Sequence, residues 1–145
     1  DGIRITLAAK GAGSENMSFL KMLNPTAEPE TVIETVVDWI REAGPHACPP
    51  LIVGLGLGGN FEAVALLAKK ALLRPLDERN PDHYYARMEE ELIERLNRTG
   101  IGPGGLGGNT TCLDCHILAA PCHIASLPLA VNLNCHAARH KAAVL

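Results

Sequence analysis

The chain is poor in aromatic residues, with one Trp, two Tyr and two Phe among 145 residues. Its core must therefore rest on Leu, Ile, Val and Ala, and an apolar content of 47% is enough to build one. No dense run of Lys or Arg occurs, and the formal net charge is −3. That leaves no electrostatic footprint for nucleic acid or for an acidic membrane surface. No uninterrupted apolar run approaches the length needed to span a bilayer. The opening residues lack the order of charged, apolar and small residues that marks a secretory signal. Cysteine is present but odd in number, five in all, which argues against a disulfide framework. A reducing compartment, the cytoplasm, is the expectation, with thiols either buried or bound to metal.

The length suits a single domain over 1–145. The 14 Gly and 10 Pro are dispersed and imply several tight loops. A strand is expected over 3–9, followed by a glycine loop over 10–16. Residues 29–43 predict an amphipathic helix, with Pro29 in its first turn and Gly44 at its end. Residues 51–55 predict a short strand, and 60–73 a second helix. Asn80-Pro81 reads as the cap and first turn of a third helix over 81–98, closed by Gly100. Strand-like segments follow near 111–118 and 124–133. This mixture, without strict βαβ alternation, predicts an α+β fold of mixed helices and short, mainly antiparallel strands.

Several motifs carry competing readings. Gly54, Gly56 and Gly59 fit G-x-G-x-x-G, with Asp77 about 20 residues on, as in dinucleotide sites. The same glycines equally suit close strand–helix packing, and no parallel-sheet pattern surrounds them. Cys112-x-x-Cys115, with His116 and Cys122 nearby, could hold zinc in a non-enzymatic binding module. On a regular strand, however, residues three apart face opposite ways, so buried, inert thiols are the simpler reading. Cys48 precedes Pro49-Pro50 on a stiff, non-helical stretch. Cys135 sits among His136, Arg139 and His140, cations that favour a thiolate. His123 lies in an apolar run, where a lone His is ordinarily a satisfied core residue.

Taken in order, the segments resemble one family. Ala8-Ala9-Lys10-Gly11-Ala12-Gly13-Ser14-Glu15-Asn16, Ala47-Cys48-Pro49-Pro50, Gly54 to Gly59 and Ala68 to Pro75 resemble the catalytic α part of class I iron–sulfur fumarases and tartrate dehydratases. So do Gly100 to Pro103, Leu106 to Thr111, Pro121 to Pro128 and Asn134 to Arg139. The resemblance implies a [4Fe–4S] cluster held by three Cys, two of which match Cys48 and Cys135. The third belongs to an upstream C-x-D-T-G type motif that these residues do not contain. The chain starts on a strand and ends soon after a dense motif, as if cut from a larger protein. It is therefore expected to be the C-terminal portion of the α catalytic region, without the upstream segment and the β part.

The resemblance further implies that His123 is catalytic and that Gly13 lets backbone approach the substrate. Lys10, Asn16, Thr110 and Arg139 are expected to bind substrate. The implied reaction is reversible hydration or dehydration of a C4 dicarboxylate, fumarate/malate or tartrate/oxaloacetate. A β subunit or β domain is the implied partner, in an oligomer, with the base expected outside this chain. No role is assigned to Cys112, Cys115 or Cys122.

Overall fold

A computed structural model describes residues 2–145. The elements run β1 (Arg4–Ala9), α1 (Ala12–Asn16), β2 (Phe19–Leu23), α2 (Pro29–Ala43), β3 (Leu51–Gly58), α3 (Phe61–Ala71), α4 (His83–Arg98), β4 (Cys112–Ala120), β5 (Leu127–Asn134) and β6 (Arg139–Val144). Four strands form one sheet in the order β2-β5-β3-β4, and β1 pairs with β6 in a separate ribbon. Only β3 and β4 run parallel, and the other three pairings are antiparallel. The α+β expectation holds.

Helix α2 forms where its periodicity predicts. Val32, Ile33, Val36, Val37 and Ile40 recur at helical spacing and are all buried. They pack with Met88, Leu92 and Leu96 of α4 against one face of the sheet, on Val53, Leu55, Ile117, Leu129, Val131 and Leu133. Burying each such side chain stabilises the fold by about 1.5–3 kcal/mol. The scarce aromatics serve as ties. Phe19 of β2 stacks on Trp39 with ring centroids 4.9 Å apart, and the Trp39 indole donates to the Met17 carbonyl at 2.9 Å. Gly44 does not stop α2 in a left-handed turn. It stays helical (φ −57°), and the chain runs into a 3-10 turn over Gly44–Ala47. A Cβ there would stand 3.0 Å from Ile40 Cγ2, so packing space explains the glycine.

On the other face lies α3, capped by Asn60, whose side chain accepts from the Glu62 and Ala63 amides. Strand β3 is longer than 51–55, and its parallel pairing with β4 overturns the expectation that no parallel strand flanks it. Gly54 and Gly56 lie inside this strand, facing α3. A Cβ on Gly54 would meet Leu72 Cγ at 2.9 Å, and one on Gly56 would meet the Ala68 nitrogen at 2.8 Å. Both would also collide with helix carbonyls, of Ala68 and Val64 respectively. These glycines exist for close helix–strand approach, and they form no phosphate-cradling loop.

Strand β4 is a sheet edge, and its outer hydrogen-bonding groups are covered rather than exposed. The buried carboxylate of Glu89 on α4 accepts from the Ile117 amide at 2.7 Å, and the Asn80 side chain donates to the Ile117 carbonyl at 2.8 Å. Arg74 pairs with Glu89, and Arg79 pairs with buried Asp114 at 2.5 Å. Burial opposes ionisation of Asp114. His116, Arg79 and the Asp77 amide outweigh it and hold the carboxyl below its usual range. Asn80 is thus a lock on the sheet edge and not the helix cap. Asp82 caps α4 by accepting from the Tyr84 amide at 2.8 Å. Gly100, with φ +72°, closes that helix as expected.

The pairing of β3 with β4 slips between Leu51 and Ile52, where Cys112 and then Asp114 are the partners. The bulge at Leu113 cancels the alternation that would separate Cys112 from Cys115, and both thiols enter the same apolar cluster. Burial pushes both thiols well above their usual range.

Two stability outcomes follow from this packing. Gly56→Ala should cost about 1–3 kcal/mol in urea unfolding, since α3 must lift off β3. Glu89→Ala should cost about 3–5 kcal/mol, because it strands the Arg74 charge and the Ile117 amide together. Glu89→Gln, which keeps the acceptor, should lose less in the same measurement.

Candidate functional site

The site is built where β3 begins and β5 ends. Ile52 pairs with Asn134, so Cys48 just before β3 and Cys135 just after β5 share one end of the sheet. Their loops are joined directly. The His136 amide donates to the Cys48 carbonyl at 3.4 Å, and His136 Nδ1 lies 3.2 Å from that oxygen. Cys48 is held in the left-handed region (φ 57°, ψ 64°), unusual for a residue with a Cβ. Its thiol is exposed and that of Cys135 partly so, unlike Cys112 and Cys115. Strained, accessible backbone of this kind is characteristic of functional positions.

Three other segments converge on the same end. The glycine loop expected over 10–16 contains the short helix α1, which packs on the 3-10 turn preceding Cys48 and on β5. Gly13 has open space around it, and Asn16 is exposed. Glu15 accepts from Lys10 at 2.7 Å, from Lys69 at 2.5 Å and from Asn132 at 3.0 Å. Burial works against its charge, but Lys10, Lys69 and Asn132 hold its carboxyl down at about 2. The second segment is the loop carrying Thr110. It is anchored by the Leu51 amide to the Thr111 carbonyl at 2.8 Å and by the Gly104 amide to the Pro49 carbonyl at 2.8 Å. Third, Cys135 opens the turn into β6, where Arg139 is the first residue.

Behind this turn the β1–β6 ribbon passes over α3. A cavity of about 450 Å³ lies between them, lined by Lys10, Lys69, Lys70, Asn134, Arg139 and His140 among its polar groups. Among the described residues no acidic side chain lines it. Lys10 and Arg139 are thereby brought into one pocket next to Cys135. Lys69, Lys70, Asn134 and His140 were not singled out as binders from the sequence. Nothing local in the sequence predicts that β6 lies across a cavity from α3, and that placement is what brings them together.

His123 is placed elsewhere. Gly58 pairs with Ala120 and Leu57 with Leu129, so the β4–β5 loop sits at the opposite end of β3. Six residues of strand separate the two ends, roughly 20 Å. His123 is exposed and not a core residue, with Ile124 beside it 90% exposed. Its Nδ1 accepts from the Ala125 amide at 3.1 Å, which leaves Nε2 as the outward donor.

The donor set suits part of an iron–sulfur site: two accessible thiols on adjoining loops, with cations close by. Among the described residues no group of three or more His, Cys, Asp or Glu comes together as a metal site. The zinc alternative is not favoured by the geometry. Cys112 and Cys115 are packed among apolar side chains, and Cys122 is exposed on the far loop. No helix among the described residues is long and apolar enough to cross a membrane.

The family model "Fumarate hydratase (Fumerase)" matches residues 1–144. A protein of Methanocaldococcus jannaschii named for the alpha subunit of L(+)-tartrate dehydratase is 49% identical over 137 residues, 94% of this chain and 48% of that protein. The L(+)-tartrate dehydratase subunit alpha of Escherichia coli K12 is 37% identical over 139 residues, 96% of this chain and 46% of that protein. The chain spans about half the length of these relatives, at 48% and 46%. With the match running from its first strand to its last, the chain belongs to the fumarate hydratase (Fumerase) family.

Proposed function

We propose that this chain is part of the α component of an iron–sulfur hydro-lyase that reversibly adds or removes water on a C4 dicarboxylate, fumarate/malate or tartrate/oxaloacetate. The supporting observation is the junction of the Cys48 and Cys135 loops beside a pocket lined by Lys10, Lys69, Lys70 and Arg139. Cys48 and Cys135 hold a [4Fe–4S] cluster together with a thiolate from outside these residues. When bound, the cluster supplies a Lewis-acidic iron for the substrate's carboxylate and hydroxyl oxygens.

The chain's own groups bind and orient. Lys10 and Arg139 take substrate carboxylates, Arg139 with the planar fork that suits two oxygens. Gly13 offers backbone without a Cβ in the way. Asn16 and Thr110 are at hand as hydrogen-bonding groups at the same end. Charge develops beside a carboxylate as the C3 proton leaves, and nearby cations stabilise it. A β subunit or β domain completes the oligomeric site and brings the base. His123, at the far end of the sheet, stabilises that charge only where a second chain brings its Nε2 to a cysteine end.

The test is made anaerobically on the complete enzyme with its β partner. Cys48→Ser and Cys135→Ser should each deplete bound iron and acid-labile sulfide and lower dehydration of malate or tartrate by at least about 100-fold. Retention of full iron, sulfide and activity in both variants would refute the proposal.

A further inference from the structure

The pocket beside Cys135 is one end of a longer groove. A second cavity of about 790 Å³ adjoins it, sharing Thr6, Lys70, Leu73 and His140. Its roof is the β1–β6 ribbon and its floor is α3 with the segment to Pro75. Four Lys and Arg side chains line this outer part, and three more line the inner pocket, so the groove holds seven of the chain's 13. Among the described residues, no acidic side chain lines either part. Within the groove, Lys10 and Lys69 are satisfied by Glu15, and Arg74 by Glu89. Arg4, Lys70, Arg139 and Lys141 have no ion-pair partner among the described residues. In a chain of net charge −3 this segregation is a local reversal of sign. A cleft lined by one sign of charge with low-dielectric walls focuses its field and concentrates ions of the opposite sign. The walls here qualify, being Ala71, Leu73, Pro75, Leu118 and Ala142.

We infer that this groove is the approach path for the dicarboxylate, and that Arg4 and Lys141 draw the dianion toward the cysteine end without contacting it there. The inference rests on the hydro-lyase reading for the identity of the ligand. Both side chains are exposed on the ribbon, so charge reversal leaves the core intact.

The experiment compares Arg4→Glu/Lys141→Glu with Lys21→Glu/Arg87→Glu in the complete enzyme. The second pair makes the same change in net charge away from the groove. Turnover is measured for malate and tartrate, and binding for succinate, a dicarboxylate with no hydroxyl to lose. At low ionic strength the groove variant should raise KM and the succinate Kd on the order of tenfold, with kcat unchanged. The difference should vanish in about 0.5 M salt, where screening confines charges to near neighbours. Equal effects from both variant pairs, or a difference that survives high salt, would overturn the path. Absence of succinate binding to the wild type would overturn it too. Wild-type succinate binding without any dehydration would instead refute the hydro-lyase reading and leave the groove standing.

Discussion

The close seating of α3 on β3 is the contact on which the site depends. Two positions without a Cβ, Gly54 and Gly56, let helix carbonyls come down onto the strand. That approach sets the height of α3, the floor of the cavity across from the β1–β6 ribbon, above the sheet. It also keeps β3 paired on both sides, with β4 and β5. Because β3 and β5 are neighbours in opposite directions, the residue before one and the residue after the other fall side by side. The placement of Cys48 beside Cys135 is thus a consequence of sheet topology, though 87 positions of sequence separate them.

Charge is distributed with the same economy. Buried carboxylates at Glu89 and Asp114 serve the β4 edge and absorb Arg74 and Arg79 there. Glu15 steadies Lys10 and Lys69 at the mouth of the inner pocket. The remaining cations of the ribbon and of α3 are left facing a cavity. Surface ion pairs elsewhere, such as Arg95 with Glu30 and Glu91, contribute little individually, since exposed pairs are worth at most about 1 kcal/mol. The stabilising ion pairs are those that also close backbone hydrogen bonds.

What the sequence made legible was local. Helices α2 and α4 carry a clear 3.6-residue stripe, and the structure buries those positions, with Ile93 of α4 only half-buried. Strand β6, Arg139–Val144, carries no apolar alternation because it lies on the surface, so its residues read as a basic motif. Strand β2, Phe19–Leu23, was missed because Lys21 interrupts an otherwise apolar run. The bulge at Leu113 was invisible because nothing in Cys112–Cys115 calls for one, and it reversed the expected facing of the two thiols. Of the site, Cys48, Cys135, Lys10 and Arg139 were reached through resemblance, and the fold gathers them at one end. The pocket's other cations were not reached, because the ribbon that assembles them joins residues from the two halves of the chain. The far placement of His123 was equally hidden, since twelve positions from Cys135 look close until an eight-residue strand is laid between them.

The ribbon also sets an order in time. Arg4 pairs with Val144, so its closure joins residues 140 positions apart. Contacts of such separation bear the largest loop entropy and form late. Every residue of both ribbon strands is exposed, so little buried apolar surface resists their parting. The sheet with α2, α3 and α4 can therefore form first and persist while the ribbon separates. Amide exchange in β1 and β6 should follow this local opening and run faster than exchange in β3. The roof of the groove is the last part of the fold to close and the first to open.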